Sequence, residues 1–106
     1  MKTYQIDDFT NGWFIGNFQP TIFSTKDFEV SVKWFNEGDK EPNHKQFIAT
    51  ELTIVVSGTI RMNSQEFSER SIIEIEPDEP CEFESVTKSI LVCVKFPSLP
   101  NDKILV

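Results

Sequence analysis

The residues best suited to chemistry lie in one stretch near the middle of the chain. His44 is the single histidine, and Gln46 and Glu51 follow it closely. His44 and Gln46 are two residues apart, so on an extended strand their side chains share a face. Glu51 is five residues beyond Gln46 and would face the opposite way on a regular strand. The three side chains can therefore converge only if a bulge or turn intervenes within residues 47–50.

Two kinds of chemistry suit these residue types. Imidazole and carboxylate are good ligands for divalent transition-metal ions, whereas a neutral amide such as that of Gln46 is a weaker one. Alternatively, His44 can act as an acid or base whose tautomer is fixed by Glu51. The structural alternative is a buried imidazole that is hydrogen-bonded to Glu51 or Gln46, since buried polar groups need partners.

The elements that must position these residues are short strands. Residues 28–35 alternate apolar and polar types, which is typical of a strand with one buried face. Similar short runs, each bounded by Gly, Pro, Asn or Ser, predict further strands at 13–18, 21–24, 52–56, 59–62, 65–67, 71–75, 81–85 and 90–96.

No stretch shows a helical period, so about nine strands and no helix predict an all-β sandwich, barrel or jelly roll. A chain of 106 residues fits one domain spanning 1–106. The apolar members of two alternating runs are expected to face the core. These are Leu52, Ile54, Val56, Val92, Val94 and Phe96.

At this point a specific resemblance emerges. Gly38, His44, Glu51 and Gly58, with Gln46 at the position of a second histidine, resemble the first motif of the cupin superfamily. The resemblance covers residues 28–96 and implies a single cupin-type double-stranded β-helix, or jelly-roll barrel. Small stand-alone cupins similarly carry a Thr-Glu pair just after the histidine cluster.

In that family the motif residues bind Fe, Mn, Ni or Zn inside the barrel. The resemblance implies a pocket made of His44, Gln46 and Glu51, which are the candidate metal ligands, with a fourth position on a strand after Pro80. The usual fourth histidine is absent. The position falls on Cys81 or Glu82 depending on which proline anchors the comparison, and only one of these neighbours can face inward.

Charge and composition exclude several partners. The net charge of −7 disfavours nucleic acid and anionic membranes, and six acidic residues lie within 74–84. Two cysteines are too few for a disulfide framework, and the N-terminal residues lack the apolar region of a signal peptide. These features predict a cytosolic protein with reduced thiols.

Two classes of function follow. The first is a barrel that binds a small polar ligand, with or without a divalent metal (Zn, Mn, Ni or Fe). Its metal-free variant is similar to cupins that rearrange nucleotide-linked sugars, which here would use the cations Lys33, Lys45, Arg61 and Lys95. The second class is a non-catalytic interaction module. A homodimer is expected in either class, because the N-terminal strands are rich in Phe and Trp.

Overall fold

The chain folds into two antiparallel sheets of five strands each. The computed structural model describes Met1–Val106 and has two short 3₁₀ turns, Ile6–Asp8 and Thr10–Gly12, before the first strand. The strands are β1 (Trp13–Ile15), β2 (Glu29–Phe35), β3 (Lys40–Gln46), β4 (Thr50–Ser57), β5 (Thr59–Met62), β6 (Gln65–Ser68), β7 (Ile72–Ile75), β8 (Cys81–Ser85), β9 (Ser89–Phe96) and β10 (Lys103–Leu105).

The order of the strands is that of a jelly roll. One sheet runs β1-β2-β9-β4-β7 and the other runs β10-β3-β8-β5-β6, so neighbours in space are mostly distant in sequence. The predicted all-β, double-stranded β-helix architecture is confirmed. The predicted strand at 21–24 is reduced to a single bridge between Ile15 and Phe23. No helix of the chain has the length and apolar character needed to cross a membrane.

The turns between strands explain one motif glycine, Gly58, and the spacing of Gln46 and Glu51. Gly58 joins β4 to β5 at φ +84°, and a Cβ there would clash with the Lys88 carbonyl oxygen, so only glycine fits. Between β3 and β4, the buried Asp102 carboxylate accepts hydrogen bonds from the Ile48 and Ala49 N–H groups. This turn separates Gln46 from Glu51, as the odd spacing required.

The structure overturns the prediction of which face of the first sheet, β1-β2-β9-β4-β7, is buried. Val55, Leu91 and Cys93 point inward together with Glu51 and Thr53. The residues predicted to be buried lie instead on the outside, where they are partly or largely exposed. The outer apolar face of this sheet consists of Val30, Val32, Trp34, Leu52, Ile54, Val56, Ile72, Ile90, Val92, Val94 and Phe96.

The interior divides into an apolar part and a polar part. The apolar part is a cluster of eight buried residues, namely Val55, Ile60, Met62, Ile75, Cys81, Phe83, Leu91 and Cys93. Burial of such side chains stabilises the fold by about 1.5–3 kcal/mol each relative to exposure. The polar part lies beside it and contains the candidate site.

Candidate ligand pocket in the barrel

A cavity of about 180 Å³ lies inside the barrel between the two sheets. It opens to a larger groove of about 560 Å³ formed by the N-terminal turns and β2, and Lys33, Phe35 and Lys103 line both. The inner cavity has room for about six water molecules. Its size therefore suits a small molecule rather than a polymer.

Three lysines line the inner cavity of a chain whose net charge is −7. The ammonium groups of Lys33 and Lys95 lie 5.1 and 5.0 Å from the centre of the Trp13 ring. Such cation–π contacts stabilise an ammonium group that is partly removed from water. The third, Lys103, lies near the Glu41 carboxylate at 4.0 Å.

Two of the lysines have a carboxylate partner, and the third does not. Lys95 Nζ lies 3.8 Å from Glu51 Oε1, and both side chains are nearly buried. Lys103 faces Glu41. Lys33 makes no salt bridge, and its ammonium group lies over the face of the Trp13 ring. The cavity thus contains one ammonium group, that of Lys33, with no carboxylate within salt-bridge distance, although Glu29 lines the same cavity.

Among the carboxyl groups that line the cavity, Glu29 is the one whose charged form is disfavoured by burial. Burial raises the pKa of Glu29, while nearby Lys95 and a hydrogen bond from the Ser98 hydroxyl oppose this shift. Since burial has the larger effect, protonation of Glu29 is easier in the folded chain than in water.

His44 is held in one orientation at the wall of the cavity. Its Nδ1 lies 3.0 Å from the Pro42 carbonyl oxygen, which can only accept a hydrogen bond, so Nδ1 carries a proton. In the neutral ring the lone pair is then on Nε2. His44 is buried and makes no hydrogen bond to Glu51 or Gln46, so the predicted pairing with either of them is wrong.

The other predicted site residues are only partly brought together. Glu51 lines the same cavity as His44, and its Oε2 accepts a hydrogen bond from Thr53. Gln46 is buried but lines a separate cavity of about 100 Å³, and its Nε2 has no hydrogen-bond partner. The expected convergence of three side chains is therefore reduced to two.

On β8, the structure separates the two candidates for the fourth position. Cys81 is buried and pairs with His44 across β3 and β8, so it is a neighbour of His44 rather than opposite to it. Glu82 is exposed on the outer surface, where its N–H donates to Asn63, and it does not belong to the pocket. Burial raises the pKa of Cys81 to about 12 and that of Cys93 to about 11, so both thiols stay neutral.

The donor set does not fit a transition-metal ion. No three His, Cys, Asp or Glu side chains are grouped so that they could hold one. The Glu51 carboxylate already faces the Lys95 ammonium, which would repel a divalent cation, and Cys81 offers a neutral thiol. Metal binding by His44, Gln46 and Glu51 stays a prediction for titration, and none of the chemistry below depends on it.

Sequence reasoning missed the residues that define this pocket. The sequence pattern predicts Lys33 and Lys95 only as cations for a nucleotide-linked sugar, and it does not single out Trp13. A signal was present, because Glu29, Ser31 and Lys33 alternate with valines on β2 and predict one polar face. What the sequence could not reveal was that this polar face points inward.

Comparison with solved structures identifies the architecture. The chain matches a double-stranded β-helix protein from Klebsiella pneumoniae over 99% of this chain and 96% of that one, with a TM-score of 0.71 and 18% identity. It matches an RmlC-like cupin from Shewanella frigidimarina over 69% and 68%, with a TM-score of 0.65 and 17% identity. A third match is the DMSP lyase DddQ from Ruegeria pomeroyi, with a TM-score of 0.72 and 14% identity over 88% of this chain and 49% of that one.

These likenesses define the fold of the chain. No protein-family model matches it, and no curated protein matches its sequence. The chain is a small protein of the cupin fold, as its motif residues predicted. At these identities the likenesses show the fold alone.

Proposed function

We propose that the barrel binds a small organic carboxylate without the help of a metal ion. The observation that carries this proposal is the unpaired ammonium group of Lys33 inside the barrel. A partly buried ammonium group with no carboxylate in contact is costly, and a ligand carboxylate would supply that contact. The size of the inner cavity limits the ligand to a small acid.

The remaining walls of the cavity suit the rest of such a ligand. Trp13, Phe35 and Phe83 offer apolar surface, while the Thr53 hydroxyl oxygen and the Nε2 atom of His44 can accept a hydrogen bond from a hydroxyl group. A hydroxyl of the ligand would donate to His44 Nε2, which is the geometry of a general base. The proposal requires binding, and His44 is the residue through which any proton transfer would pass.

The alternative substrate, a nucleotide-linked sugar, is poorly served by this pocket. Of the four cations available for a diphosphate, only Lys33 and Lys95 line the cavity. Lys45 pairs with Asp78 at 2.7 Å, and Arg61 pairs with Glu66 and Glu84 on the outer surface. The basic patch that a diphosphate needs is not assembled.

Binding can be followed by the fluorescence of Trp13 in a Trp34→Phe background, which removes the second tryptophan. Acetate, pyruvate, lactate and succinate are the probes. We expect at least one to change the emission saturably, and Lys33→Met to weaken that binding tenfold or more. Lys33→Arg should retain part of it, and Lys88→Met, at an exposed position, should leave it unchanged.

Two results would overturn the proposal. One is the absence of binding by all four acids, and the other is equal binding by the wild type and a folded Lys33→Met variant. Calorimetric titration with Zn, Mn, Ni and Fe tests the metal alternative. Heat that is lost in His44→Ala and enhanced in Gln46→His would show a metal site and contradict metal-free binding.

A further inference from the structure

A second, smaller cavity of about 100 Å³ adjoins the inner cavity of the barrel. Glu29, Lys95 and Lys103 line both cavities, whereas Lys33, the proposed carboxylate contact, lines only the inner one of these two. The small cavity has room for about three water molecules. It can therefore hold the polar end group of a ligand whose main part lies in the inner cavity.

Gln46 gives the small cavity a hydrogen-bond donor that nothing in the protein uses. The residue ends β3 and lines this cavity, it is 3% exposed, and its Nε2 atom has no partner. The terminal torsion of a glutamine side chain is soft, so the amide can turn Nε2 towards a group in the cavity without moving the strand. A buried donor without an acceptor is unfavourable, and an entering acceptor would remove that cost.

Two carboxyl groups of the small cavity supply acceptors. Asp102 accepts hydrogen bonds from backbone N–H groups of the turn after β3, and the Ser98 hydroxyl donates to Glu29. Both carboxyl groups keep further lone pairs for a ligand donor. Burial raises the pKa of Glu29, Lys95 opposes this rise, and Asp102 adds to it. The two carboxyl groups thus disfavour each other's charge, and they would disfavour a third negative charge beside them.

The lysines of the small cavity do not change this balance. Lys95 Nζ lies 3.8 Å from Glu51 Oε1, and Lys103 Nζ lies 4.0 Å from Glu41 Oε2. Both ammonium groups therefore already face a carboxylate of the protein. A second carboxylate on the ligand would find no free counter-ion in this cavity, unlike a first carboxylate at Lys33.

We propose that the small cavity holds a neutral end group of the bound acid, one that both accepts and donates hydrogen bonds, such as a primary amide. This inference rests on the carboxylate binding proposed above and names the class of acid. The amide oxygen would accept from Gln46 Nε2, and the amide N–H groups would donate to Glu29 or Asp102. A terminal hydroxyl fills the same two roles with one oxygen, whereas a carboxylate can only accept.

The positions of two lysines indicate the length of such an acid. The ammonium groups of Lys33 and Lys95 lie 5.1 and 5.0 Å from the centre of the same Trp13 ring, and Lys95 also lines the small cavity. A carbon chain extends by roughly 1.2 Å per bond. Acids of four to six carbons therefore reach from Lys33 past Trp13 towards the small cavity.

The test is calorimetric titration of the wild type with acids of equal length and different end groups. The four-carbon set is butanoate, succinate, succinamate and 4-hydroxybutanoate, and the six-carbon set is hexanoate, adipate and adipamate. In at least one set we expect the amide acid to bind tenfold or more tightly than both the unsubstituted acid and the diacid. Because all members share the first carboxylate, the difference measures the end group.

Variants assign this preference to Gln46. Gln46→Met keeps the length of the side chain and removes the donor, so the affinity for the amide acid should fall to that for the unsubstituted acid. The affinity for the unsubstituted acid should itself stay unchanged. Gln46→Leu takes its place if that variant does not fold. Gln65→Met, at an exposed position on β6, is the matched control and should keep the preference.

The outcomes separate this inference from the proposal on which it rests. Equal binding of the amide acid, the diacid and the unsubstituted acid would overturn the inference and leave carboxylate binding intact. A preference for the amide that survives in a folded Gln46 variant would also overturn it. Absence of binding by every acid would contradict the carboxylate site, and the inference with it.

Discussion

The two faces of the first sheet have exchanged the roles expected of them. The inward face carries Glu29, Lys33, Glu51 and Lys95 along with a few apolar residues, whereas the outward face is almost wholly apolar. In most half-buried sheets the apolar side faces the core. The exchange leaves a polar, partly charged cavity inside the barrel and an apolar surface on its outside.

The strongest test of the difference between the interior and the outer face truncates one isoleucine in each of them. Ile60 is fully buried in the interior, whereas Ile72 is 66% exposed on the outer face. Ile60→Ala should lower the free energy of unfolding by about 2–5 kcal/mol because it leaves a cavity. Ile72→Ala should change it by about 0.5 kcal/mol or less in the monomer.

Urea unfolding at a protein concentration below 1 μM measures both free energies. Equal losses for the two variants would mean that the outer face is as tightly packed as the interior, contrary to the comparison.

The next test concerns the charges that the interior contains. Lys95→Met leaves Glu51 and Glu29 without their nearby cation, and should destabilise the protein by about 2 kcal/mol at pH 7. Adding Glu51→Gln to the same variant should recover most of the loss, because one of the uncompensated charges is then gone. Thermal unfolding of the single and double variants gives the comparison, and a double variant no better than the single one would speak against pairing.

A smaller effect is expected at Glu29, and it depends on pH. Since burial raises the pKa of Glu29 in the folded chain, the native state favours the protonated carboxyl group. Its contribution to stability is therefore full below the unfolded value and is lost as the pH rises through the folded one. Glu29→Gln should be slightly more stable than the wild type at pH 8, and this advantage should disappear towards pH 4. A constant difference across that range would contradict a buried, titrating Glu29.

The smallest effect is expected at Glu82, beside the buried Cys81 on β8. Because its side chain faces solvent, Glu82→Gln should change the free energy of unfolding by about 0.5 kcal/mol or less and leave carboxylate binding unaltered. Lys33→Met is the contrasting variant in the same binding assay. A loss of binding in Glu82→Gln would place that residue back in the pocket.

Much of the fold could be predicted from local patterns, because a strand is recognised by alternating apolar and polar residues and by the turn residues at its ends. The strand predicted at 28–35 is β2 almost to the residue, and the one predicted at 81–85 is β8. The separation of Gln46 from Glu51 by a turn also followed from their spacing. The site was predictable only in part: His44 and Glu51 line the cavity, whereas Gln46 and Glu82 do not.

The sequence by itself determined eight of the ten strands, all except β3 and β10, together with the glycine turn at Gly58 and the likeness to a cupin barrel. These depend on residues close together in the chain, whose backbone preferences act locally. The tertiary structure alone decided which face of β4 and β9 turned inward. An alternation with a period of two is compatible with either face of a strand turning inward. Here the polar face can be buried because Lys95 contacts Glu51 and Trp13, which lie far from it in the sequence.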